Sequence, residues 1–299
     1  MPGPTAGKLE EPPLPDDLSL PPGACDCHMH VFADPHAYPP AATRAYTPRR
    51  AGLDDWRAMA APLGLQRVVL VQPSAYGTDN RLMCDTLRAN PGLRGVAVIG
   101  PETQDGDLRA MHDLGVRAIR LNLVSNGIPD PRAAAIQLAN AAARAGRLGW
   151  HVQIFVPGPL LAALAPTIAS LSVPVVIDHM GGADASLGLD QPGQPELRAL
   201  LAEGRAWVKV SGINRVSRQA SGFRDALPVM RALVAANPAR CVWGTDWPHI
   251  GAHAAGEASP VIYMGHDNAD LLRALFEAAP EAEVRRAILA ENPGLLYDF

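Results

Sequence analysis

Two short runs hold the residue types best suited to chemistry. They are Asp26-Cys27-His28-Met29-His30 near the start of the chain and Gly244-Thr245-Asp246-Trp247-Pro248-His249 near its end. Each closes a short apolar segment that reads as a strand. Side chains alternate along a strand, so His28 and His30 are expected on one face and Cys27 and Met29 on the other. Paired imidazoles joined by a carboxylate such as Asp246 suit proton transfer or a divalent metal. An enzyme is the first expectation.

Such residues need elements that bring distant parts of the chain together. Eight apolar runs recur, at about 24–32, 67–74, 93–101, 116–124, 151–157, 174–181, 206–212 and 240–247. Between them lie Ala/Leu/Arg-rich segments with helical spacing, among them 54–63, 133–147, 194–203 and 223–236. Strand alternating with helix in this rhythm predicts an α/β fold, a (β/α)8 TIM barrel. The rival is a doubly wound open sheet, but no G-x-G-x-x-G follows the first strand.

Alternation inside the runs sharpens the barrel reading. Ile119, Leu121 and Leu123 oppose Ala118, Arg120 and Asn122, and Val152, Ile154 and Val156 oppose His151, Gln153 and Phe155. Polar positions fall late in the runs, as at Gln72, Ser74 and His179, which is the carboxyl-terminal rim where barrel active sites lie. That rim would gather His28, His30, Ser74, Arg120, His179, Arg215 and Asp246. Arg120 stands where structure alone would favour a hydrophobe, so it needs an anion: an internal carboxylate such as Asp26, or an acidic substrate. Lys209, opposite Val208 and Val210, points inward; a structural ion pair is favoured over a Schiff base. His249, His253 and His266 belong to a long stretch at 250–267 or its edge, a candidate lid.

At 299 residues and 48% hydrophobic content the chain can bury one large core. A net charge of −4 without long basic blocks argues against nucleic acid as partner. No apolar stretch approaches the about 20 residues that span a bilayer, and the start lacks a secretory pattern, so a cytoplasmic protein without a membrane partner is expected. Nothing in the sequence opposes a homo-oligomer. Cys25, Cys27, Cys84 and Cys241 form no C-x-x-C pair and read as reduced thiols, with Cys25 and Cys27 packed toward the helices. Residues 1–22, rich in proline, read as an extended tail before a single domain at 23–299.

Asp26-x-His28-x-His30, Gln72-Pro73-Ser74, Asp178-His179-Met180-Gly181, the run from Trp243 to His249 and the closing run from Ile288 to Tyr297 together resemble the amidohydrolase-2 family. Within it they are most similar to the 2-pyrone-4,6-dicarboxylate lactonases and related sugar-acid and sulfolactone hydrolases. The resemblance covers about 23–299 and implies a hydrolase opening a carboxylate-bearing lactone. In that scheme Asp246 activates water, and His28, His30 and His179 polarise the carbonyl or hold the water. Arg120, Ser74 and Arg215 would bind the substrate's anionic group. Asn126 and Gly182 stand where the pyrone enzymes carry arginines and Phe155 where they carry a tyrosine, which implies a less charged or differently shaped lactone.

Many members of the wider superfamily hold a metal through the paired histidines, a strand-four or strand-five ligand and the last aspartate. Here Arg120 and Phe155 take the intermediate positions, and a guanidinium cannot ligate a cation, so no cofactor is expected. The alternative is Zn²⁺ on His28, His30 and Asp246. A metal-dependent decarboxylase and a lactone isomerase are the competing chemistries. An inert binding barrel would tolerate loss of Asp246.

Overall fold

In the computed structural model, which describes residues 18–125, 127, 130–251 and 258–299, the eight expected runs all supply strands. They are β1 (Cys25–Met29), β2 (Arg67–Val71), β3 (Arg94–Ala97), β4 (Val116–Asn122), β5 (His151–Phe155), β6 (Val175–Ile177), β7 (Trp207–Lys209) and β8 (Cys241–Val242). Each pairs in parallel with the next in the chain. The barrel closes where Cys27 N donates to Trp243 O at 2.9 Å and Asp246 N to His28 O at 2.8 Å. Sequential parallel order with closure is the (β/α)8 barrel, not the open sheet.

Alternating strand residues separate two cores. Val116, Ile119, Val152, Ile154, Val208 and Val210 belong to the large cluster between strands and helices. Val69, Val71, Val96, Ala118, Val176, Trp207 and Val242 fill the barrel interior together with Tyr297. The helices show why the Ala/Leu segments fold as they do. Helix Gly158–Ser170 buries Leu160, Leu161, Leu164 and Ile168, and helix Gln194–Ala202 buries Leu197, Leu200 and Leu201, in each case one stripe against the strands. Asp130 caps helix Pro131–Gly146 by accepting from Arg132 N and Ala133 N, with proline at the first turn. At the amino-terminal end of the barrel, helix Asn292–Tyr297 seats Tyr297 against His151, ring centroids 5.1 Å apart.

Over the opposite end, Tyr46–Thr47 pairs with Ser259–Pro260. Ile250 and Val261 pack there with Phe32, Tyr46 and Tyr76 in a third cluster. This anchors the described flanks of the 250–267 stretch above the rim; His253, Asn126 and most of the proline-rich tail lie outside the described residues. Among the described residues, no helix is long and apolar enough to cross a membrane.

Candidate active site

Strand β1 aims its side chains through an irregularity. Its register against β2 shifts between Asp26 and Met29. Before the shift Cys25 and Cys27 face the barrel interior, whereas Met29 packs outward with the helices. The expectation that both cysteines face the helices is therefore corrected. A bulge moves the inward face by one residue, which lets Cys25 and Cys27 fill the interior while His28 faces the site; such shifts re-aim side chains next to active sites. Asp26 points outward and fastens the barrel seam. It accepts from Thr245 Oγ1 at 2.6 Å, Thr245 N at 2.9 Å, Trp56 Nε1 at 2.9 Å and His28 N at 3.0 Å. Gly244 makes that closure possible, because a Cβ there would stand 2.6 Å from His28 N.

All seven residues expected at the rim converge. His30, Ser74, Arg120, His179, Arg215 and Asp246 line one cavity of about 50 Å³, and His28 lies fully buried beneath them. Tyr46, Asn122, Ser125, Phe155 and Ile250 complete the wall. Tyr46 and Ile250 carry no periodic signal in the sequence, since Tyr46 opens a strand of only two residues and Ile250 forms a single bridge with Tyr263. Tyr46 shares a hydrogen bond with Ser74, and burial pushes its phenol up to about 12.

Asp246 is the centre of the cluster. Its Oδ1 lies 3.7 Å from His28 Nε2, 3.6 Å from His30 Nε2 and 3.6 Å from His179 Nε2. Its Oδ2 accepts from Arg215 Nε at 2.6 Å. Burial works to raise this carboxyl, but Arg215 and the surrounding imidazoles hold it well below the usual carboxylate range. His30 Nδ1 lies 2.7 Å from Val71 O, and His179 Nδ1 3.0 Å from Ser211 Oγ. Burial brings His179 down to about 4, so it is neutral at pH 7. Asp246 and His179 both adopt positive φ, 62° and 49°, an uncommon conformation for residues with side chains.

A second carboxylate, Asp178, organises the floor. Arg120 reaches its Oδ2 at 3.5 Å and donates to Gln72 O at 3.1 Å, so the guanidinium's internal partner is Asp178, not Asp26. Asp26 is already engaged at the seam by four donors and faces the wrong side of β1. Lys209 stands 3.6 Å from Asp178 Oδ1 and donates to Gln153 Oε1 at 2.7 Å and Cys27 O at 2.8 Å, the structural pairing expected of an inward lysine. Gln153 Nε2 in turn donates to Asp178 Oδ2 at 3.0 Å. Asp178 carries no signal of its own in the sequence, because Asp178-His179 reads as one motif whose reactive group is the histidine.

The donor set has the shape of a metal site. One ligand atom from each of His28, His30 and Asp246 lies within 4.8 Å of the others. His28 Nε2 has no hydrogen-bond partner among the described residues. These three residues would hold a divalent cation, which would polarise a carbonyl. Charge opposes it. Asp178 and Asp246 already face three cations, Arg120, Lys209 and Arg215, so a dication would add uncompensated charge to a buried cluster. A larger cavity, about 830 Å³, lies elsewhere, on the outer side of β4. Its cations are already committed: Arg144 to Gly100 O and Thr103 O, Arg147 to Asp105.

Known proteins resemble the chain along nearly its whole length. A 2-pyrone-4,6-dicarboxylate hydrolase of Comamonas testosteroni is 34% identical over 298 residues, covering 95% of this chain and 93% of that protein. A 4-sulfomuconolactone hydrolase of Hydrogenophaga intermedia is 32% identical over 284 residues, covering 93% and 89%. A solved structure from Pseudomonas putida, described as a candidate 2-pyrone-4,6-dicarboxylic acid hydrolase, is 32% identical with a TM-score of 0.77, covering 93% of this chain and 98% of that one. The amidohydrolase family itself matches residues 25–299, every strand and every rim residue included. The chain belongs to the amidohydrolase family.

Proposed function

We propose that this protein hydrolyses a lactone bearing a carboxylate or sulfonate, with Asp246 accepting the proton of the attacking water. The observation that carries the reading is the set of three imidazole Nε2 atoms within 3.6–3.7 Å of one Asp246 oxygen, beside two arginines on the same cavity wall. The names of the relatives, hydrolases of a pyrone dicarboxylate and of a sulfolactone, support the same class of substrate.

The steps follow from the geometry. The substrate's anion pairs with Arg120 and Arg215, Ser74 adds a hydroxyl contact, and the ring carbonyl points toward the histidines. Water attacks the carbonyl carbon as Asp246 Oδ1 takes its proton. Preorganised donors in a water-poor cavity stabilise the oxyanion. The tetrahedral carbon then expels the ring oxygen, which takes the proton from Asp246, and the hydroxy acid leaves.

The wall also bears on which lactone fits. Gly182 has φ +65°, and a Cβ there would stand 2.9 Å from Val156 O, so the backbone leaves no room for the second arginine of the pyrone enzymes. Phe155 offers no hydroxyl. Two cations on the wall, where the pyrone enzymes have more, favour a lactone with one strongly anionic group. We propose that the reaction is metal-independent, because three cations already face the cluster's two carboxylates.

A panel of carboxylated, sulfonated and neutral lactones tests the reading. Ring opening of the acidic members, with neutral ones at least about tenfold slower for want of a charge-assisted bond, is expected. Release of CO₂, or interconversion of lactones without ring opening, would overturn it in favour of a decarboxylase or an isomerase.

A further inference from the structure

The two imidazoles of the H-x-H motif meet different partners on the side away from Asp246. His30 Nδ1 lies 2.7 Å from Val71 O. A carbonyl only accepts, so His30 carries a proton on Nδ1, and the neutral ring then presents a lone pair at Nε2. His28 Nδ1 instead has two neighbours at the same distance, Asp178 Oδ1 at 3.3 Å and Lys209 Nζ at 3.3 Å. One wants a proton from Nδ1 and the other offers one.

Proton counting decides between them. An ammonium has three protons. Lys209 directs two to Cys27 O at 2.8 Å and Gln153 Oε1 at 2.7 Å. The third has His28 Nδ1 at 3.3 Å with hydrogen-bond geometry, whereas Asp178 Oδ1 lies at 3.6 Å. Asp178 Oδ2 accepts from Gln153 at 3.0 Å, and its Oδ1 is shared as an ion-pair partner, 3.3 Å from His28 Nδ1 and 3.6 Å from Lys209 Nζ. His28 Nδ1 is therefore the acceptor of the lysine's third proton, and the imidazole hydrogen resides on Nε2. The bulge in β1 makes this possible by placing Cys27 O and His28 Nδ1 against the same ammonium.

We propose that Lys209 is a positioning residue that fixes His28 as the Nε2–H tautomer, so that the two histidines of the motif are opposite tautomers. His28 presents a proton and His30 a lone pair to the same Asp246 oxygen and, on the proposed reading of the site, to the lactone. His28 then supplies a hydrogen bond to the carbonyl oxygen as negative charge develops there, while His30 accepts from the attacking water. A cation at His28 Nε2 would have to displace that hydrogen to Nδ1, where it would face the Lys209 ammonium.

The test is a long-range ¹H–¹⁵N correlation spectrum of the full chain with ¹⁵N-labelled histidine, recorded at neutral pH without substrate. His28 and His30 are assigned by the signals lost in His28→Gln and His30→Gln. The Nε2–H pattern for His28 and the Nδ1–H pattern for His30 are expected. An Nδ1–H pattern at His28 would show that Asp178, not Lys209, sets the ring and would overturn the proposal. In Lys209→Met the His28 pattern should switch to Nδ1–H, and kcat should fall about 10²-fold, the scale of losing one oxyanion donor, with a much smaller change in KM. Persistence of Nε2–H in that variant would remove Lys209 from the account. Should Lys209→Met fail to fold, the wild-type spectrum still decides. The spectrum needs no turnover, so its outcome stands apart from whether any lactone on the panel is opened.

Discussion

Replacing Asp246 with asparagine isolates the proposed base. The amide keeps the shape of the carboxylate, and one of its atoms must face Arg215, whose Nε donates to Oδ2 at 2.6 Å. A guanidinium only donates, so the amide oxygen takes that side and the NH₂ turns toward the three imidazoles. The position that accepted water's proton becomes a donor. Loss of a general base costs about 10²–10⁴-fold in kcat, or roughly 3–5 kcal/mol of transition-state stabilisation. Stability should change little, because Arg215 is 33% exposed and can reach water once its partner is neutral. The assay is initial-rate hydrolysis of the best acidic lactone, followed by loss of the ring chromophore, with thermal melting as control. The pH profile adds a second check. Asp246 is held well below the usual range and His179 is near 4, so the acid limb of kcat/KM should lie at or below about pH 4, not near 6.5. A kcat for Asp246→Asn within a few-fold of wild type would refute the assignment.

Arg120→Met should lower kcat/KM for acidic lactones by about 10–100-fold and affect neutral esters less, since a charge-assisted pair is lost. Equal loss on both classes would assign Arg120 to the floor around Asp178 alone. Protein purified without added metal should contain well under one equivalent of zinc and keep its activity after chelation. Stoichiometric zinc, with activity lost on chelation and restored by Zn²⁺, would show that the charge argument fails. Acid should destabilise the fold through buried neutral histidines. His151 is brought to about 3 by burial, whereas the unfolded chain takes up a proton near 6.5. Stability is therefore present above about pH 6.5 and lost as pH falls toward 4, by about 3 kcal/mol from this residue at pH 4. His151→Phe should flatten part of that slope in calorimetric melting, and an unchanged slope would contradict it.

The parts of the fold that were legible in the sequence are those set by periodicity. Ile119, Leu121 and Leu123 against Ala118, Arg120 and Asn122 fix which face of β4 meets the helices, and the structure shows that division. Convergence of His28, His30, His179, Arg120, Arg215, Ser74 and Asp246 followed from one rule, that function in a barrel collects at the carboxyl-terminal rim. Two kinds of information were not local enough to read. The bulge in β1 depends on pairing with β2 and β8, so simple alternation put Cys25 and Cys27 on the wrong side. Buried charge pairing depends on three-dimensional distance, so Arg120 found Asp178 although Asp26 was equally available along the chain.

The same limit explains why the metal question turns on residues outside the motif. H-x-H with a distant aspartate has the same letters whether its histidines hold a cation or a proton. The difference lies in what touches the far side of each ring. A carbonyl behind His30 and an ammonium behind His28 send their Nε2 atoms in opposite directions chemically, although both stand within 3.7 Å of the same carboxylate oxygen. Lys209 is 181 residues from His28 in the chain, so no local pattern could have shown it. A pair of opposite tautomers around one carboxylate is suited to moving a proton and stabilising an oxyanion.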